Sequence, residues 1–282
     1  MIRRFIPLLL LLIGLVGCRN KAAVTDKPVV TVSIEPQRWI LDRLVGDRME
    51  VRSLLGRGGN PESYEPAFSH LASLERSRVY LTVGNLGFES AILKKVVANN
   101  PNLRIVCTSD SVSLIHATHG SHDHGADPHV WSSARNVRIM AENMLRVLCE
   151  IDSENSAVYT ENFISLARHI DSVDVACDSI LSPLRGSSFM VWHPSLSYFA
   201  RDYGLTQLSL GAEGKEHSVR ETQDLLRHMK STGAEVFLVQ KDFDPTQARA
   251  IASDVRTAVI DPMNYDWDVE MLHTARSIAG TE

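Results

Sequence analysis

The sequence predicts an α/β fold of two lobes, each a mostly parallel sheet flanked by helices, joined by a single long helix. Three observations carry this expectation. Short β-branched runs alternate with amphipathic stretches from residue 29 to 108; a run without Gly or Pro covers 154–181; and the alternation resumes from 188 to 260. Strands that alternate with helical patterns build βαβ units, whose strands lie parallel under covering helices.

Val29 to Ile34 (VVTVSI) reads as a strand, and Glu35 to Val45 as a helix with Trp39, Ile40 and Leu44 on one face. Val51 to Leu55 is the next strand, Ser69 to Arg76 a helix, Val79 to Val83 a strand, Ala91 to Asn99 a helix and Arg104 to Thr108 a strand. Asn136 to Cys149 is helical. After the polar pair Asp152-Ser153, the run from Glu154 to Leu181 has helical spacing throughout. A helix of about 28 residues at roughly 1.5 Å each spans a domain and suits a rigid connector. Beyond it, Ser188 to Trp192, Thr206 to Leu210, Val236 to Val239 and Val259-Ile260 read as strands. Leu196 to Tyr203, Val219 to Ser231 and Pro245 to Val255 read as the helices between them. The chain therefore divides into a leader (1–17), a tether (18–27), an N-terminal lobe (28–152), a linking helix (153–182) and a C-terminal lobe (183–282).

Composition agrees with a globular protein and excludes one class of partner. The 282 residues are 44% hydrophobic and 22% charged, enough for one large or two ordinary domains. The net charge is -5 without long single-sign runs, so the basic face that nucleic acid requires is missing.

The N-terminus reads as an export signal. A basic start, Met1-Ile2-Arg3-Arg4, precedes the apolar run Phe5 to Gly17, too short for an easy membrane span but right for a secretory h-region. It ends in Leu15-Val16-Gly17-Cys18, which looks like a lipobox, with Cys18 as the lipid attachment site and the polar residues 19–27 as a tether. Cys107, Cys149 and Cys177 remain, with no C-x-x-C spacing to suggest a thiol zinc site or a redox pair. An oxidising compartment permits one disulfide among them without naming it.

Ligand sites in parallel sheets sit at the carboxyl ends of strands, in the loops that follow. Those loops contain GRGGNPESYEP (56–66), ADPHVW (126–131), HPSLSYFARDYGL (193–205) and DPMNYDW (261–267). They offer Glu62, His129, His193 and Asp261, two from each lobe. Mixed imidazole and carboxylate donors suit zinc or manganese, whereas calcium takes oxygen alone. Taken singly, each residue also fits an ordinary turn, cap or core role. A second histidine group, His116, His119, His122 and His124 with Asp123, lies in a Gly- and Ser-rich stretch that reads as an open loop. No H-E-x-x-H or comparable pairing supports a zinc hydrolase.

The ordered set of a lipobox, N-P-E-S-Y-E-P, V-G-N-L-G-F-E, a His-rich stretch, D-P-H-V-W, W-H-P-S-L-S-Y-F-A-R-D-Y-G-L and I-D-P resembles the zinc/manganese-binding solute-binding lipoproteins of bacterial ABC transporters. The resemblance covers nearly all of the mature chain. It implies a metal site in the cleft between the lobes, with Glu62, His129, His193 and Asp261 as ligands. It also implies a monomeric, non-enzymatic protein, lipid-anchored on the periplasmic or outer face of the membrane, that captures Zn2+ and passes it to a membrane permease. Mn2+ is the alternative cargo, or iron in a manganese/iron homologue; a surface adhesin on the same fold is the alternative function. The His116 to His124 tract is similar to the family's His- and Asp-rich loop and implies a weak metal collector at the cleft mouth. One departure stands out: Glu62 occupies a position where the family pattern has histidine, giving two imidazoles and two carboxylates.

Overall fold

The computed structural model describes residues 27–61, 63–119, 122–212, 215–216, 219–231, 236–242 and 255–281. Cys18 with its leader, Glu62, and most of the helix expected from Pro245 to Val255 lie outside the described residues.

The first half is built on the strands β1 (Val29–Val32), β2 (Glu50–Ser53), β3 (Ser77–Thr82) and β4 (Arg104–Cys107). They form one parallel sheet in the order β2-β1-β3-β4. Helices α1 (Glu35–Val45), α2 (Phe68–Leu74) and α3 (Gly87–Asn99) supply the crossovers. All four residues of β1 are buried, as expected for an interior parallel strand covered on both faces. Helix α1 carries Pro36 in its first turn, where a missing N–H costs nothing, and Gln37 Oε1 accepts from Ser33 N at 2.9 Å. Gly46, at φ +59°, closes it.

The histidine tract departs from the open loop that its composition suggests. β5 (His116–His119) and β6 (His122–Ala126) pair antiparallel, in the register His116↔Ala126, Thr118↔Asp123 and His119↔His122. Backbone pairing overrides the Gly and Ser content here, with Gly125 taking the positive φ.

Helix α4 (Ala134–Ile151) is capped by Ser133 Oγ, which accepts from Asn136 N at 3.1 Å. A single 3-10 turn at Ser153–Asn155 leads into α5 (Ser156–Leu181), the 26-residue connector, starting two residues later than its sequence pattern. Its buried stripe, Leu166, Ile170, Val173, Cys177 and Leu181, repeats every three to four residues. Both its ends are engaged: α5 packs on α1 and α4 of the first half and on α8 (Trp267–Ala279) of the second.

The second half repeats the plan. β7 (Ser188–Val191), β8 (Thr206–Ser209), β11 (Val236–Gln240) and β12 (Arg256–Ile260) form a parallel sheet in the order β12-β11-β7-β8. Helices α6 (Ser197–Tyr203) and α7 (Val219–Ser231) belong to it, with a small hairpin of β9 (Gly211–Ala212) and β10 (Lys215–Glu216) between them. Helix α8 went unread in the sequence although Trp267, Met271, Ala275 and Ile278 mark its buried face.

One continuous apolar cluster runs from Val30 and Trp39 through Trp131, Ile170 and Trp267 to Phe189 and Val191, so both lobes share a core. Cys107, Cys149 and Cys177 are free thiols, and burial pushes the Cys177 thiol up to about 12, which keeps it protonated. Among the described residues no helix is long and apolar enough to cross a membrane.

Candidate metal centre

The strands of both sheets end at one cleft, whose cavity of about 230 Å3 is lined by residues 58–61 of the loop after β2, by His129 and Trp131, by His193 and Ser195, and by Asp261 to Met263. Three of the four residues singled out in the sequence therefore face one space. The fourth, Glu62, follows Pro61 of that lining directly and is itself outside the described residues.

His129 is only 7% exposed, and its orientation is set by the turn that carries it. Asp127 Oδ1 accepts both the backbone N–H of His129 at 2.9 Å and its ring Nδ1 at 2.8 Å. A carboxylate at Nδ1 holds the proton there, so the Nε2 lone pair faces the cleft. The turn is pinned from the other half: Tyr198 on α6 donates its hydroxyl to Asp127 O at 2.7 Å. Behind it, Trp131 Nε1 donates to Pro262 O and Trp267 Nε1 to Trp131 O, each at 2.8 Å. Two buried indoles thus tie the His129 turn to the loop that bears Asp261.

His193 stands two residues past β7 and meets His129 across the cleft, Nε2 to Nε2 at 3.2 Å. Gln240, the last residue of β11, clamps its backbone: Gln240 Nε2 donates to His193 O at 2.7 Å, and Gln240 Oε1 accepts from His193 N at 3.3 Å. Burial, and after it the neighbouring His129, pull the His193 pKa down to about 4, so the ring is neutral at pH 7 and free to donate a lone pair. Burial acts to raise the Asp127 carboxyl, but hydrogen bonds from His129 and Ser197 outweigh it and hold Asp127 below the usual carboxylate range.

Asp261 follows β12 directly. Its backbone N–H donates to Glu270 Oε1 at 2.8 Å, and its Oδ2 lies 3.5 Å from Lys241 Nζ. Across the mouth, Asn60 Nδ2 donates to Asp242 Oδ2 at 2.7 Å. Among the described residues no three His, Cys, Asp or Glu side chains converge as a complete metal-holding group: the two imidazoles meet, while Asp261 lines the same cavity and is paired with Lys241.

The family model of the periplasmic zinc-uptake complex component A, ZnuA, matches residues 30–275. The chain belongs to this family. It is 31% identical to a solved ZnuA, with a TM-score of 0.83 over 90% of this chain and 99% of that one. It is 22% identical over 264 residues to the zinc-binding lipoprotein AdcA of Streptococcus pneumoniae, covering 88% of this chain and 52% of the relative. The Mn-bound periplasmic metal-binding protein of Candidatus Liberibacter asiaticus, 18% identical, shares the fold with a TM-score of 0.80 over 90% of this chain and 99% of that one. The two-lobe α/β architecture of the sequence analysis is that of the family.

Two residues that shape the cleft escaped the sequence reading. Asp127 carried a usable signal, because an Asp two residues before a backbone N–H is placed to accept from it in an Asx turn. Gln240 carried none: its partner is 47 residues away in sequence and only the β7–β11 pairing brings them together.

Proposed function

We propose that this protein is an extracytoplasmic solute-binding lipoprotein that captures a divalent cation, Zn2+ with Mn2+ as the alternative, between His129, His193, Asp261 and Glu62. It then delivers the ion to an ABC permease. In this reading residues 1–17 are removed on export, Cys18 carries the lipid, and the protein works as a monomer at the membrane surface. Membership in a periplasmic zinc-uptake family supports the transport role.

The observation that carries the metal site is the facing pair of imidazoles. Two nitrogens each 2.0–2.1 Å from a tetrahedral Zn2+ lie about 3.3 Å apart. The 3.2 Å between His129 Nε2 and His193 Nε2 is such an edge, and an ion there would replace a hydrogen bond between the rings. The rings come from opposite halves, so a bound ion bridges the lobes. Zn2+ takes precedence because imidazole is the softer donor, and the second carboxylate at Glu62 is what keeps Mn2+ in contention.

Native mass spectrometry of the purified protein, with Zn2+, Mn2+ and Fe2+ in competition, tests this reading. One tightly held ion, selected as zinc and lost in both His129→Ala and His193→Ala, is the expected result. Undiminished binding in those two variants would overturn it.

A further inference from the structure

Strand β11 contributes none of the proposed donors, yet its end serves the strands on either side. It lies between β7, which leads to His193, and β12, which leads to Asp261. Gln240 turns to the His193 backbone, as described above. Lys241, the next residue, turns the other way: its backbone N–H donates to Ile260 O at 2.9 Å, which fixes it beside Asp261, and its Nζ reaches 3.5 Å from Asp261 Oδ2. Lys241 lines the same cavity as His129 and His193, so a positive side chain stands at a cleft proposed to take a cation.

We propose that Lys241 is an internal counter-cation that sets the affinity of the site: its ammonium neutralises Asp261 until a divalent ion displaces it and takes the carboxylate. The inference rests on the reading of Asp261 as a donor. Asp261 brings a carboxylate to the cleft lining, and the Lys241 ammonium beside it offsets that charge. The lysine stem is mostly exposed, 69% against 23% for Asp261, so the ammonium can swing into water without disturbing the fold. A divalent cation outcompetes it by charge and by coordination to the imidazoles. Na+ or K+ brings the same single charge as the ammonium without its tether, so Lys241 discriminates against univalent ions as well. The tethered ammonium stays beside Asp261 and recaptures the carboxylate as the ion leaves, which favours release.

An exposed ion pair is worth little, so the effect is modest: removing the charge should tighten Zn2+ binding roughly two- to fivefold. The experiment compares Lys241→Gln, Lys241→Arg and Asp261→Asn, singly and as Lys241→Gln with Asp261→Asn, by competition of the purified protein against a zinc chelator and by the rate of Zn2+ release to excess chelator. Lys241→Gln should bind tighter and release more slowly, Lys241→Arg should stay near wild type, and in the Asp261→Asn background the Gln substitution should change neither quantity. Equal or weaker binding in Lys241→Gln, or a gain that persists without the Asp261 carboxylate, overturns the counter-cation role. If Asp261→Asn alone leaves affinity unchanged, the donor assignment itself falls, and the role of Lys241 with it.

Discussion

Replacing Asp127 by Asn isolates the part of the site that orients the proposed donor His129 without being one itself. Asp127 Oδ1 accepts two hydrogen bonds from His129, at the backbone and at Nδ1, and the carboxyl is 10% exposed. Asn keeps the shape but loses the charge, and its NH2 group can face Nδ1 and drive the ring proton to Nε2, the atom aimed at the cleft. A charge-assisted hydrogen bond exceeds a neutral one by about 1 kcal/mol or more, and loss of a carboxylate partner behind a ligating histidine weakens metal binding about 10- to 100-fold. At 1.4 kcal/mol per decade this is about 1.4–2.8 kcal/mol of binding free energy.

Chelator competition with Zn2+ reads the affinity, and urea unfolding of the metal-free protein reads the fold in parallel. Asp127→Asn should fall between wild type and His129→Ala in affinity, with a cooperative unfolding transition retained. Affinity within twofold of wild type, in a folded variant, would refute the argument that the carboxylate fixes the tautomer and aim of His129.

Three further outcomes follow from the site and the leader. In the metal-free protein, unfolded His193 takes a proton near 6.5 and folded His193 only near 4, so acidification through that window favours the unfolded chain. Stability should drop by roughly 2–3 kcal/mol between pH 7 and pH 4 on this account, and urea titrations of His193→Gln should lack that part of the slope. Glu62→Ala should weaken metal binding while Glu62→His restores or strengthens it for Zn2+; unchanged affinity in Glu62→Ala would leave a site of three protein ligands and water. Cys18→Ala should leave the protein soluble or unprocessed when cells are fractionated, and a processed, firmly membrane-bound variant would overturn the lipid anchor.

The fold was legible where period and burial agree. β1, β7 and β11 are short apolar runs because each is an interior strand covered on both faces, and that pattern survives in the sequence as VVTV, SFMV and VFLVQ. The connector was legible because a long amphipathic run without Gly or Pro has few other solutions. The hairpin from His116 to Ala126 was not, since its strands pair through backbone groups and its composition matches an open loop. Helix α8 has a clear buried face, but the turn signals at Asp261-Pro262 and Asn264 drew the reading to the loop before it.

The site divides in the same way between what a chain writes locally and what only its topology creates. Ligands of such sheets sit in the loops after strand ends, so His129, His193 and Asp261, which line one cavity, could be picked out by position and residue type. Their orientation is partly local, with Asp127 two residues from His129 and Glu270 nine residues from Asp261, and partly not, with Gln240 clamping His193 across 47 residues and Trp131 holding Pro262 across 131. Gln240 and Trp131 are ordinary residues whose roles exist only after two parallel strands or the two lobes have met. At the end of β11, Gln240 hydrogen-bonds the His193 backbone beyond β7, while Lys241, just past the strand, pairs with Asp261 beyond β12. One strand end therefore holds the backbone of one proposed donor and pairs with the carboxylate of another. Both placements follow from the strand order β12-β11-β7, which no local motif in this sequence expresses.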